Sequence, residues 1–438
     1  MDRKEFIRNS SLTAAGITIL NFPIFGKNAP SNKVMLGVMG VNSRGAYLAE
    51  CFSKLPNVEI AYICDVEDKA IVNGLKPFQN AARKPTVIKD IRELLNKKDF
   101  DALVIATPDH WQTTAALMAV AHGKHVYVEK PGSHNAYEGE LLTKAVNKYP
   151  NKLIQMGNQR RSMPNLINAV KEVKDGIIGN VYFGKSWYAN NRKSIGYGKK
   201  VVVPPTLNFD LWQGPAPRKD YKDNLIHYNW HWHWHWGTAE TCNNGTHEID
   251  MCRWFLDVDY PTKVTSAGGR YAYKDDWEMP DTQVATFEFG DKKAITWEGR
   301  SCNKMNVEGA SRGFTIYGEK GTLVNKGNDD YTIYDADNKL IKEVKTGTSN
   351  DGTNTVSATG NLDFFHFNNF LDSIRGNTKL NSPINEGQKT ILLCHLANIA
   401  QRIGKTLNCD LKNGYILNDP DAMKLWRREY EKGWEPKV

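Results

Sequence analysis

Four short apolar runs in the first third of the chain, separated by helical stretches, constrain the fold more than any other feature. Lys33 to Met39 (KVMLGVM), Val58 to Cys64 (VEIAYIC), Ala102 to Ala106 (ALVIA) and His125 to Val128 (HVYV) have the composition of buried strands. Between them, Ala46 to Leu55, Asp90 to Asn96 and Thr113 to His122 predict helices, the last closed by Gly123 as its C-cap. Strands and helices alternating at this spacing build a parallel, doubly wound sheet.

In such a sheet ligands bind beyond the carboxyl ends of the strands, so the residues at those ends are the site candidates. The first strand runs into Gly40-Val41-Asn42-Ser43-Arg44-Gly45 and then a helix. This is the setting in which a G-x-G-x-x-G turn cradles a pyrophosphate, with Asn42 in place of the middle glycine. Asparagine tolerates a left-handed backbone, which keeps the turn possible. The second strand ends at Asp65, about twenty residues on, where a carboxylate accepts the adenosine ribose hydroxyls and repels a 2′-phosphate. Val66 and Glu67 follow, with no basic residue, which favours NAD over NADP.

The third strand closes on Thr107-Pro108-Asp109-His110-Trp111 and the fourth on Glu129-Lys130-Pro131. Pro131 cannot donate to a ladder, so the strand stops there. Thr107, Pro108, His110, Glu129, Lys130 and Pro131 should gather on one rim, and His134 should open the helix from Ala136 to Tyr149. A lysine at that edge either points into the crevice, where burial lowers its pKa for proton transfer, or is a surface lysine beside a loop proline.

The 438 residues suffice for two or three domains with a sizeable core. The formal charge of +8 comes without a Lys/Arg block, so a nucleic-acid surface is not expected. Seven scattered cysteines without CxxC pairs predict neither a disulfide framework nor a structural zinc site. Arg3, Lys4 and Arg8 precede an apolar stretch from Leu12 to Phe25 and a polar linker to Lys33, the layout of an export signal. Arg3-Lys4-Glu5-Phe6-Ile7 resembles a twin-arginine signal with lysine at the second arginine and no A-x-A site after it; the other reading is an uncleaved amphipathic arm. No later apolar run is long enough to span a bilayer. The expectation is a soluble periplasmic protein, with a cytoplasmic one as the alternative.

The Gly40/Gly45 turn, Asp65, Ala106-Thr107-Pro108 and above all Glu129-Lys130-Pro131 resemble the Gfo/Idh/MocA family of nicotinamide-dependent oxidoreductases. The resemblance implies a Rossmann domain over 33–155 and a substrate-binding, oligomerising α+β domain over 156–438, after an export segment and linker over 1–32. It places Lys130 beside the nicotinamide and the reacting sugar carbon. Gly157-Asn158-Gln159-Arg160-Arg161 continues the match as the link between domains, with Gln159 on the cofactor side and Arg161 on the substrate side. Gly40, Asn42, Ser43, Arg44, Gly45, Asp65, Thr107, Pro108, His110, Glu129 and Lys130 are the other expected cofactor contacts. A homodimer or homotetramer is implied, through the exposed face of the second sheet.

In the second half, Ile177 to Asn190, Pro261 to Ala267, Thr282 to Phe289, Lys293 to Glu298, Gly313 to Tyr317 and Gly321 to Val324 predict a large, mostly antiparallel sheet, with turns at Asp291-Lys292 and Gly318 to Gly321. Asn325 to Asn361 predicts a peripheral hairpin or a mobile loop, and Asp363 to Gly376 and Asn385 to Thr406 amphipathic helices. In the family such late helices pack back against the first domain. Asn418 to Trp434 is a polar, aromatic tail expected to dock.

Trp230-His231-Trp232-His233-Trp234-His235-Trp236 puts histidines on one face and tryptophans on the other if extended. Three readings stand: a metal site, for which no nearby carboxylate or cysteine group completes the set; a sugar-stacking wall in which Trp232, Trp234 and His235 contact substrate; and a packed aromatic segment. Thr246 can cap the next helix, with Ile249, Cys252 and Leu256 as its buried stripe. Asn243 and His247 are four residues apart, a spacing that can place both toward one pocket. The family pattern is Asp-x-x-x-His, the histidine serving as general acid/base. With Asn243 at the aspartate position, which orients a hydroxyl but holds no proton, proton transfer rests on His247 or Lys130. The resemblance thus implies an NAD-dependent oxidoreductase acting on a secondary hydroxyl of a sugar or glycoside. The alternatives are an NAD-dependent glycoside hydrolase working by transient oxidation and elimination, and a non-catalytic sugar-binding protein.

Overall fold

The computed structural model describes residues 33–290, 292–346 and 362–438. The expected export segment, Asp291 of the expected turn, and the part of the 325–361 stretch beyond Thr346 lie outside them. Six strands form the first sheet: β1 Val34–Met39, β2 Val58–Cys64, β3 Thr86–Ile88, β4 Ala102–Ile105, β5 His125–Val128 and β6 Ile154–Met156. Their order is β3-β2-β1-β4-β5-β6 and every pairing is parallel. The order reverses between β2 and β4 around β1, so the crevice opens over the ends of β1 and β4. Alternate side chains serve the two faces. Leu36 and Val38 pack with Phe52 on one, and Met39, Val126 and Val128 pack with Trp111 and Leu142 on the other. The short strands Thr86–Ile88 and Ile154–Met156 lacked an apolar run long enough to stand out in sequence.

Nine strands make the second sheet: β7 Val181–Ala189, β8 Lys263–Gly269, β9 Thr282–Phe289, β10 Lys293–Arg300, β11 Arg312–Gly318, β12 Gly321–Asn325, β13 Tyr331–Asp335, β14 Leu340–Val344 and β15 Leu407–Asn408. Their order is β14-β13-β12-β11-β7-β10-β9-β8-β15, antiparallel except for β7 with β10. β13 and β14 are the hairpin reading of the 325–361 stretch. Helix Thr246–Leu256 lies on one face, where Cys252 and Phe255 meet Trp297, Phe314 and Ile316.

Two late helices join the sheets. Phe367 and Phe370 of helix Leu362–Ile374 pack on Phe52 and Tyr127 under the first sheet, with ring centroids of Phe52 and Phe367 4.6 Å apart. Helix Ile384–Ile403 gives Ile384 and Ile391 to the first core and Leu393 and Cys394 to the second. The tail docks as well: Trp434 packs edge-on against Trp111 at 5.1 Å and Trp426 stacks on Tyr415 at 4.8 Å. No helix among the described residues is long and apolar enough to cross a membrane. All seven cysteines are free.

Candidate active site

A cavity of about 370 Å³ lies over the carboxyl ends of the parallel strands. Its floor is built by the strand ends. Gly40 holds a φ of 82°, and a Cβ there would stand 2.8 Å from the Ala106 carbonyl oxygen; one at Gly45 would stand 1.8 Å from the Gly40 carbonyl. The turn therefore needs glycine at both positions. Asn42 does not take the left-handed conformation expected of it, because Gly40 already supplies the reversal. Instead the Asn42 carbonyl accepts from Asn73 Nδ2 at 3.3 Å. Ser43 occupies the N-cap of helix Arg44–Ser53 without a side-chain capping bond.

Asp65 accepts from the Val41 amide at 2.7 Å and the Glu67 amide at 3.1 Å. Burial pushes its carboxyl up to about 6, with those amides pulling the other way. Arg44 donates to Glu129 at 2.9 Å and to Asp363 at 3.1 Å. Burial opposes its charge, yet Glu129 and Asp363 outweigh that and raise its pKa well above the ordinary value. Gln159 sits under this pair, with Nε2 3.3 Å from Glu129 Oε1. The Thr107 hydroxyl, on the cavity wall, is buried without a partner among the described residues.

The chemistry-bearing end is organised by a π-helical turn. Thr241–Gly245 is π-helical and runs directly into helix Thr246–Leu256. Thr246 is thus the first helical residue and not the cap: its hydroxyl donates to the Cys242 carbonyl at 2.6 Å. The wider turn leaves both oxygens of Asn243 available, and Lys130 Nζ donates to the backbone oxygen at 2.6 Å and to Oδ1 at 2.7 Å. Burial lowers the Lys130 pKa, with Glu129, Asp109 and Glu240 partly offsetting it. Asn243 Nδ2 in turn donates to Glu240 at 3.3 Å, and Arg192 donates to Glu240 at 2.8 Å. Burial would raise the Glu240 pKa, but Arg192 keeps it below the usual carboxylate value.

The roof is a long connection between β7 and the π-helical turn. It contributes Leu207, Trp212, Ile226, His227, Tyr228, Trp230 and His231 to the cavity. Its backbone is stitched to the floor by Asp68 N to Thr206 O and Asn208 N to Val66 O, each 2.9 Å.

The comparisons with known proteins agree with this geometry. Residues 34–157 match the family model described as "Oxidoreductase family, NAD-binding Rossmann fold", and residues 185–408 match its "C-terminal alpha/beta domain". The chain belongs to the Gfo/Idh/MocA oxidoreductase family. Among curated relatives, a "Glycosyl hydrolase family 109 protein" of Saccharopolyspora erythraea is 32% identical over 204 residues, covering 43% of this chain and 44% of that protein. An "Alpha-N-acetylgalactosaminidase" of Shewanella oneidensis is 26% identical over 209 residues, 42% of this chain and 45% of that one. The chain thus spans less than half the length of these relatives. Among solved structures, a levoglucosan dehydrogenase in complex with NADH superposes with a TM-score of 0.67 at 15% identity, over 86% of this chain and 99% of that one. The WlbA dehydrogenase from Bordetella pertussis, in complex with NADH and UDP-GlcNAcA, gives 0.62 at 20% identity, over 86% and 99%. At these identities the likeness is one of fold.

The residues present fit the family's NAD. The two glycines leave room no side chain would, the Thr107 hydroxyl lacks a partner, and the Asp65 carboxylate stands at the end of β2. Of the sequence candidates, Gly40, Asn42, Ser43, Arg44, Asp65, Thr107, Pro108, Glu129, Lys130 and Asn243 line one cavity. Others stand back from it. His110 donates Nε2–H to the Trp212 carbonyl at 2.9 Å and is pushed down to about 3 by burial, so it fastens the roof as a neutral ring. Arg161 is committed to Asp250 at 2.7 and 2.9 Å. His247 is buried, and burial followed by Arg312, Lys130 and Arg160 holds its pKa well below the ordinary histidine value.

The aromatic run departs from the extended reading. Asn229–Trp232 is a 3₁₀ turn, so side chains fan out instead of alternating. Trp232 is 1% exposed and stacks on Trp277 at 3.9 Å, Trp234 lies under the Arg402 guanidinium at 4.5 Å, and His235 donates Nε2–H to the Pro217 carbonyl at 2.7 Å. None of these three lines the cavity, whereas Trp230 and His231 do. Tyr228, Glu240 and Arg192 had no sequence signal, since nothing in their spacing ties them to Lys130.

Proposed function

We propose that this protein is an NAD-dependent oxidoreductase acting on a secondary hydroxyl of a sugar or glycoside. The observation that carries the reading is Lys130 Nζ, held by the two oxygens of Asn243 in the cavity that also contains the glycine turn and Asp65. An ammonium has three donors, and two are used. The third serves the substrate oxygen and stabilises the negative charge that develops on it, an interaction strengthened by burial. Asn243 supplies no negative charge, so it orients Lys130 without neutralising it. NAD, when bound, takes up or returns the hydride. Gly40, Ser43 and Thr107 would hold it, and Asp65 with Glu67 would reject a 2′-phosphate and so select NAD over NADP.

The roof supports a second reading of the same chemistry. A cofactor held in this cavity, whose roof is stitched to the floor, would be suited to being reduced and reoxidised within one turnover, as glycoside cleavage by transient oxidation and elimination requires. The glycosidase names of the curated relatives point the same way. Mixing the purified protein with sugars and glycosides, under single-turnover absorbance and product analysis, separates the two. A lasting rise of reduced nicotinamide with a keto-sugar product is the dehydrogenase outcome. Released aglycone without lasting NADH is the glycosidase outcome. Ligand binding with neither would end both.

A further inference from the structure

The proton that must leave the substrate hydroxyl needs an acceptor at the cavity wall, and His231 has the required form. Its Nδ1 lies 2.6 Å from the Tyr228 carbonyl oxygen. A carbonyl can only accept, so Nδ1 carries the hydrogen. The ring is stacked at 3.6 Å on Trp230, which fixes its plane, and it stands 4.4 Å from the Tyr228 ring. Arg192 donates to the Tyr228 hydroxyl at 2.8 Å and to Glu240, which anchors the turn from which Asn243 holds Lys130. His231 and Lys130 therefore belong to one hydrogen-bonded frame around the cavity. Burial, helped by the charges of Lys130 and Arg192, pushes the His231 pKa down to about 3, with the hydrogen bond to the Tyr228 carbonyl and then Glu240 pulling the other way. The ring is neutral, and its remaining polar atom, Nε2, carries a lone pair.

We propose that His231 Nε2 accepts the substrate hydroxyl proton while Lys130 donates to the same oxygen. This rests on the oxidoreductase reading. The O–H bond breaks and its proton forms the Nε2–H bond of an imidazolium; the C–H bond of the adjoining carbon breaks and its hydride would pass to oxidised NAD, leaving a carbonyl. Burial first, and Lys130 after it, depress the basicity of His231 in the resting site. Negative charge developing on the substrate oxygen offsets both when the proton moves. His247, which the family pattern nominates, is held neutral by burial and by the charges of Arg312, Lys130 and Arg160, and it is not among the residues that line the cavity.

The test uses the full-length NAD-loaded protein and methyl and 4-nitrophenyl glycosides of N-acetylgalactosamine, galactose and glucose. His231→Gln should slow single-turnover NAD reduction about 100-fold and make it rise with hydroxide concentration, while the melting temperature and the glycoside affinity, read by calorimetry on the NADH-loaded protein, stay nearly unchanged. Added imidazole should restore part of the rate to His231→Ala. Independently of turnover, nitrogen-15 spectra of histidine-labelled protein at pH 7 should include an unprotonated Nε2 signal that is lost in His231→Gln and retained in the other histidine variants. A His231→Gln rate and pH profile equal to wild type, or hydroxide dependence in His247→Gln in its stead, overturns the assignment and leaves the oxidoreductase reading intact. A protonated Nε2 in the resting protein overturns it too. Wild-type protein that reduces NAD with none of these glycosides overturns both.

Discussion

The floor and the roof of the cavity are ordered by different forces. On the floor, Gly40, Asp65, Thr107 and Lys130 stand at the ends of parallel strands, so ladder hydrogen bonds and buried strand side chains fix their positions. The roof, from Asn190 to Glu240, has only the short helices Phe209–Gln213 and Asn229–Trp232 and gets its order from aromatic packing. Trp236 meets Trp212 at 5.0 Å and His110 at 5.1 Å, with Phe209 and Tyr221 in the same cluster. The floor carries the groups proposed to hold the cofactor together with Lys130, and the roof adds His231 to the proposed chemistry. Changes on the floor should therefore alter chemistry and cofactor binding, whereas changes in the aromatic cluster of the roof should alter stability and retention, with His231 the roof residue whose change alters chemistry.

Trp236→Ala probes the roof hardest. The side chain is 3% exposed, and its loss should cost about 3–5 kcal/mol in chemical denaturation and speed NAD release. Unchanged stability would mean that the roof is not held by this cluster. Lys130→Ala comes next. It should lower turnover about 100- to 1,000-fold with NAD affinity nearly constant, measured as kcat against a cofactor titration. Equal losses in both would break the division between chemistry and cofactor holding.

Asp65→Asn should weaken NAD binding about tenfold, through the loss of a charged acceptor. The pH dependence has a definite sign. The Asp65 carboxyl is pushed up to about 6, so it is ionised above that pH and protonated below it. Wild-type NAD affinity should be full above pH 6 and fall as the pH drops through it, and Asp65→Asn should flatten this step in isothermal titration.

The same contrast explains what could be read before the structure. Floor residues follow backbone rules with local signatures: an apolar run, a glycine that only a left-handed turn needs, a carboxylate at a strand end. Those signatures located Gly40, Asp65 and Lys130, and the alternation of apolar residues located β9 from Thr282 to Phe289. In the roof no local rule applied. The alternating Trp and His residues suggested an extended strand, but Trp232 finds Trp277, and Trp236 finds His110, across long stretches of chain. The link from Lys130 to Asn243 was legible only as a family pattern; that a π-helical turn frees the Asn243 carbonyl depends on packing around Thr241–Gly245 that spacing does not encode.

The smallest expected effect lies where roof and floor touch beside Asp65. His227 Nε2 is 3.2 Å from Glu67 Oε2, and that hydrogen bond raises the His227 pKa against the opposing effect of burial. A histidine with a raised folded-state pKa contributes fully below its unfolded value near 6.5, and the contribution fades as the pH rises through the folded value. The His227 side chain is 39% exposed, so solvent screens the pair and only a modest effect is expected. NAD release, followed by fluorescence after mixing with excess competitor, should quicken about twofold above that pH, and His227→Gln should release at the faster rate throughout. A much larger effect would mean that the ion pair, and not the aromatic cluster, keeps the roof closed. The absence of any pH step, with Trp236→Ala still releasing faster, would assign retention to packing alone.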